Sequence, residues 1–248
     1  MGRNIKLTIA YDGTDFRGWQ RQENDRTVQG VIEQALEKMH GSLVNVTGAG
    51  RTDAGVHAAG QTANFYTDID SIPASRFAPA LNTLLPHDVR ILDACEEDNN
   101  FHARFSAVSR TYRYQFICNP LAVALPHERL YNLRLFRFPR IDILNAYGRL
   151  LLGETDCSIF SAAGDTSKSK YRYIYRSFFF AEGNRLIFEI CANAFLRKMV
   201  RSVAGTFLHY EETGASPEEL REIITATNRS LAGPTLPPHG LFLWKVEY

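Results

Sequence analysis

Ten consecutive residues, Gly48-Ala49-Gly50-Arg51-Thr52-Asp53-Ala54-Gly55-Val56-His57, bring together a carboxylate, an arginine, a histidine and three glycines. Glycines let a ligand approach the backbone closely and open conformations closed to other residues. The loop is not a dinucleotide fingerprint, because the third small residue of G-x-G-x-x-G/A would be position 53, which is aspartate. It is not a Walker loop either, since no Gly-Lys-Ser/Thr follows. Without further context Asp53 could simply bond its own backbone in a tight turn. An arginine, Arg51, sits two residues before this aspartate.

A second cluster is Phe101-His102-Ala103-Arg104-Phe105-Ser106, continuing to Arg110-Thr111-Tyr112-Arg113-Tyr114. On a strand, Tyr112, Tyr114 and Phe116 share one face. Aromatic rings beside arginines suit stacking of unpaired bases, but a core-facing aromatic stripe has the same spacing. The third cluster is Asn193-Ala194-Phe195-Leu196-Arg197-Lys198-Met199-Val200-Arg201. On a helix, Arg197 and Arg201 would stand one turn apart, placed to hold a phosphate or a carboxylate. There is no G-x-S-x-G elbow, no H-E-x-x-H and no zinc-deaminase signature.

The elements that must position these residues repeat. Ile5, Leu7, Ile9 and Tyr11 alternate as in a strand, and Thr27 caps a helix carrying Val28, Ile32, Leu36 and Met39. Strands near 43–49 and 61–67, a short helix after Pro73 and a strand near 88–95 complete a β-α-β-β-α-β order. The second half runs from a strand near 107–118 through a helix near 141–152 that stops at Gly153. Strands near 171–181 and 185–193 follow, joined at Gly183-Asn184. Helices near 195–208 and from Ser216-Pro217 come next, and Leu241–Tyr248 forms the last strand. The expectation is an α+β protein of two ferredoxin-like, RRM-like halves, 1–104 and 105–248. Their antiparallel sheets would join into one larger sheet flanked by helices.

The 248 residues are 45% hydrophobic and 22% charged, an ordinary globular composition. No apolar run approaches the roughly 20 residues that cross a bilayer. No apolar signal core follows Arg3 and Lys6, so a cytoplasmic protein without membrane attachment is expected. Cys95, Cys118, Cys157 and Cys191 are scattered, unlike zinc ligands. The net charge is only +1, so any polyanion must be held by local clusters. The candidates are Arg104, Arg110, Arg113, Lys168, Lys170, Arg172, Arg197 and Lys198.

Taken together, these segments resemble the pseudouridine synthase I (TruA) family over nearly the whole chain. Tyr11-Asp12-Gly13-Thr14, Gly18-Trp19-Gln20-Arg21-Gln22 and Thr27-Val28-Gln29 match first. Arg51-Thr52-Asp53-Ala54-Gly55-Val56-His57, Leu81-Asn82, Leu85-Pro86, Phe101 to Ser106 and Arg110 to Tyr114 follow. Asn193-Ala194-Phe195, Met199-Val200-Arg201, Gly233-Pro234-Thr235 and Gly240-Leu241 complete the set. Leu236-Pro237-Pro238 departs from the Thr-Ala-Pro expected there, at a point far in sequence from the Asp53 loop. The resemblance implies a cofactor-free homodimer that isomerises uridine to pseudouridine in the tRNA anticodon stem-loop, at nucleotides 38 to 40. It implies Asp53 as catalytic carboxylate, Arg201 as its ion partner, and Tyr112 against the uracil, assisting proton transfer. Substrate contacts are expected from Arg51, His57, Arg104, Arg110, Lys168 and Lys170, and no metal is expected.

Overall fold

The computed structural model describes residues 2–118 and 126–248. They form two compact units, Met1–Val108 with Phe242–Tyr248, and Ser109–Leu241. Both mix strands with helices, so the α+β class holds.

In the first unit the order is β1 (Arg3–Tyr11), α1 (Val28–His40), β2 (Thr47–Gly48), β3 (His57–Thr67), α2 (Phe77–Asn82) and β4 (Val89–Glu97). β1 lies between β4 and β3, antiparallel to both, and β2 pairs with β3. This is the strand arrangement of a ferredoxin-like unit. The alternation of β1 sends Ile5, Leu7 and Ile9 into the core, where Val28, Ile32 and Leu36 of α1 are also fully buried. Each such side chain contributes about 1.5–3 kcal/mol on burial. α1 starts where Thr27 predicts, its side chain accepting from the Gly30 N–H.

The strand predicted near 43–49 shrinks to Thr47–Gly48. Glu33, itself buried, takes the Val46 N–H at 3.1 Å, so a helix side chain replaces part of the strand ladder. The final strand, β10 (Leu241–Glu247), reads in sequence as the end of the second repeat. Its residues from Phe242 onward return to the first unit, where Phe242 and Leu243 pair parallel with His57 and Ala58 of β3.

The second unit runs β5 (Ser109–Cys118), α3 (Pro126–Leu130), β6 (Leu133–Leu135), α4 (Ile141–Arg149), β7 (Gly153–Asp156), β8 (Tyr171–Glu182), β9 (Arg185–Ala192), α5 (Met199–Thr213) and α6 (Pro217–Thr225). β9 is antiparallel to β5 and β8, β8 to β7, and β6 runs parallel beside β5. The strand-helix-strand-strand-helix order of β5, α4, β8, β9 and α5 repeats that of the first unit. Phe179 stacks on Phe188 at 4.5 Å, and Phe207 of α5 closes over both. α6 opens with the capping box that Ser216 and Glu219 predict.

α5 differs from the sequence expectation. A helix over 195–208 is predicted, but Lys198 has φ of 59°, in the left-handed region, and the helix begins only at Met199. Arg197 therefore lies before the helix, and the expected one-turn spacing of Arg197 and Arg201 on one helical face does not exist.

Candidate active site

Asp53 sits in the loop between β2 and β3, half-buried, with Arg51 exposed beside it. The loop turns at Asp53, whose carbonyl accepts the Val56 N–H at 3.1 Å. Its stiffness comes from residues 11–19. Tyr11 Oη meets Thr52 Oγ1 at 2.8 Å, and the Trp19 N–H donates to the Thr52 carbonyl at 3.1 Å. The Gly55 N–H donates to the Phe16 carbonyl at 3.3 Å. Gly18 combines a φ of 97° with an approach at which a β-carbon would lie 2.6 Å from the Thr52 carbonyl oxygen. Tyr11-Asp12-Gly13-Thr14 and Gly18-Trp19 thus brace the carboxylate loop on both sides of Asp53. Nothing local in the sequence marks these motifs for that task, because close approach of glycines to a distant loop leaves no local pattern.

His57, expected among the substrate contacts, is fully buried. Its Nδ1 accepts the Gly13 N–H at 2.9 Å and lies 3.1 Å from the Asp12 carboxylate, and its ring stacks on Phe242 at 4.7 Å. It offers no surface to an RNA and instead fastens the brace to β3. Arg104 is exposed, its guanidinium 5.5 Å from the Phe105 ring centre. The loop carrying it is held by Asn4 and Asn64: the Asn4 amide donates to the Asp98 and Phe101 carbonyls, and Asn64 accepts the Ala103 N–H.

In the second unit the segment Asn193–Arg201 gathers several of the expected residues. Arg110 donates to the Asn193 carbonyl at 2.8 Å, and Tyr112, next on the same face of β5, meets Phe195 edge-on at 5.0 Å. Arg201, half-buried in the first turn of α5, donates from Nε to the Leu236 carbonyl at 2.7 Å. The one departure from the family pattern, Leu236-Pro237-Pro238, therefore lies against Arg201. The bond uses a backbone carbonyl that any residue supplies.

The basic cluster is partly spent inside the protein. Lys170 pairs with Asp165 at 2.6 Å, and the Arg197 N–H donates to the other Asp165 oxygen at 2.7 Å. Burial raises the Asp165 pKa, but the bonds from Lys170 and from the Arg197 and Ser167 N–H groups outweigh it and hold the carboxyl well below the usual range. Arg113 is bonded to the buried Glu189 at 2.8 Å. Arg172 bonds the Ser169 and Tyr171 carbonyls. Lys168 is exposed. Lys170 thus ties the 165–170 loop to Asp165. Among the described residues no group of three or more His, Cys, Asp or Glu is placed to hold a metal ion. No helix among them is long and apolar enough to cross a membrane.

A braced carboxylate loop stands in one α+β unit, and a basic and aromatic cluster in a second of similar order. The family model described as tRNA pseudouridine synthase matches residues 7–106 and 148–248. A tRNA pseudouridine synthase A of Treponema denticola is 54% identical over 99% of this chain and 93% of its own length. That of Treponema pallidum is 51% identical over 96% of this chain and 85% of its own. That of Caldicellulosiruptor saccharolyticus is 42% identical over 99% of this chain and 100% of its own. The chain belongs to the tRNA pseudouridine synthase family and is an isomerase.

Proposed function

We propose that this chain converts uridine to pseudouridine in the anticodon stem-loop of tRNA, at nucleotides 38 to 40, acting as a homodimer. The reaction breaks the N1–C1′ bond, turns the uracil and joins C5 to C1′. Nothing is oxidised and no group is carried elsewhere, so the side chains of the protein suffice. A base within a stem must first leave the stack, at a cost of a few kcal/mol.

Asp53 is the reacting carboxylate in this proposal. Attack at C1′, attack at C6 and stabilisation of charge near C1′ all require it ionised and held still. The observation that supports it is the brace: backbone bonds hold the loop at Thr52 and Gly55, on either side of a half-buried aspartate. An aspartate that merely closes a turn needs no such support. Arg201 supplies the counter-charge, and Tyr112 packs against the uracil. Arg51, exposed two residues before Asp53, contacts the backbone of the flipped nucleotide, and Arg104, Arg110 and Lys168 contact the flanking RNA.

The test uses tRNA tritiated at uracil C5. Joining C5 to C1′ expels that hydrogen, so wild-type protein should release tritium in proportion to pseudouridine formed. Transcripts with uridine only at 38, 39 or 40 should react. Release from uridines elsewhere, with none from these, would overturn the assigned position.

A further inference from the structure

The segment Gly233–Gly240 lies as a strap across α5 and β5. At one end the Gly233 N–H donates to Thr206 Oγ1 at 3.0 Å, and a β-carbon on Gly205 would stand 1.8 Å from the Pro234 carbonyl oxygen. At the other end the Gly240 carbonyl accepts the Gln115 N–H at 2.8 Å. Between these anchors two successive carbonyls are used. That of Leu236 holds Arg201 Nε, while the Leu236 N–H returns a bond of 3.3 Å to the Arg201 carbonyl. That of Pro237 accepts the phenol of Tyr114, a residue with no exposed surface, stacked on Phe116 at 4.7 Å.

We propose that Tyr114 is a positioning residue that sets the guanidinium of Arg201 through the carbonyls of Pro237 and Leu236. Pro237 and Pro238 have fixed φ and no N–H of their own, so this stretch turns as a stiff piece. Tilting the Pro237 carbonyl moves the neighbouring Leu236 peptide with it. The charge of Arg201 also reaches the phenol: burial raises the Tyr114 pKa and Arg201 draws it partly back. The inference rests on the role proposed above for Arg201, and it gives a buried tyrosine outside the reacting groups a part in the rate.

The experiment compares wild type, Tyr114→Phe, Arg201→Lys and the double variant. Tyr114→Phe removes one neutral hydrogen bond, so kcat for tritium release should fall about three- to tenfold with tRNA affinity unchanged. Hydrogen exchange at Arg201 Nε, followed by NMR and assigned by its loss in Arg201→Lys, should quicken. On the Arg201→Lys background, where no Nε–H remains to be aimed, Tyr114→Phe should add nothing. Thr206→Val loosens the other anchor, should also quicken the exchange, and keeps the test decisive should Tyr114→Phe not fold. Wild-type turnover and exchange in Tyr114→Phe would overturn the inference, as would a full additional loss on the lysine background. Wild-type protein inert toward tritiated tRNA would instead overturn the proposed function, and the exchange measurement would still report on the strap.

Discussion

Gly13 lies so close to Val56 that a β-carbon on it would stand 2.0 Å from the Val56 carbonyl oxygen. The obstruction is backbone, which cannot swing aside as a side chain can. Gly13→Ala should therefore push the loop carrying Asp53 away from its brace. Overpacking of this kind costs about 1–3 kcal/mol, so the melting temperature should fall. Turnover should fall further than stability alone explains, while tRNA binding, carried by other residues, stays near wild type. Melting curves, tritium release and filter binding on one preparation check this. Normal turnover in a folded Gly13→Ala protein would mean that the brace does not govern the loop.

Asp53→Asn keeps the shape of the side chain and removes its charge. If the carboxylate reacts, tRNA should still bind and tritium release should vanish. Appreciable release by pure Asp53→Asn protein would show that the braced loop serves only to shape the surface.

His57 supplies a sharper division between structure and substrate contact. Its ring accepts the Gly13 N–H in the interior. His57→Leu leaves that buried donor without its acceptor, which costs about 1–3 kcal/mol. Stability should drop while the salt dependence of tRNA binding is untouched. A weaker tRNA complex in a variant as stable as wild type would return His57 to the substrate contacts that sequence reading assigns it.

What the sequence makes legible is local. Thr27 caps its helix three residues away at Gly30, Ser216 and Glu219 close a capping box, and Gly183-Asn184 turns the β8–β9 hairpin. Ile5, Leu7 and Ile9 alternate on β1 as a half-buried strand must. The carboxylate loop is legible as chemistry because its residue types stand together. What escapes depends on partners distant in the chain. β7 pairs Glu154 with Tyr173 and has no apolar alternation of its own. The burial of His57 depends on Gly13, 44 residues earlier, and on Phe242. Lys198 carries no local sign that it will adopt a positive φ and delay α5. Arg201 finds the Leu236 carbonyl 35 residues away, through a backbone atom that no motif encodes.

Lys168 and Lys170 should separate in their response to salt and acid. Lys168 is exposed, so Lys168→Ala should remove one phosphate contact and shallow the salt dependence of tRNA binding by about 0.7–0.9 log units per tenfold change in salt. Lys170 is bonded to Asp165, and Lys170→Ala should leave that slope nearly unchanged while lowering stability. The acid response follows from Asp165, whose folded pKa is lowered mainly against burial by Lys170 and two backbone N–H groups. Its contribution is complete above the unfolded carboxylate pKa of about 3.9 and drains away as pH falls below that value toward the folded one. The stability gap between wild type and Asp165→Asn should thus stay constant near neutrality and narrow below about pH 4. Denaturant melts at a series of pH values measure it. A gap that widens on acidification would mean that the Asp165 carboxyl is not held ionised by Lys170. Equal slopes for wild type and Lys168→Ala would leave Arg51, Arg104 and Arg110 as the phosphate contacts.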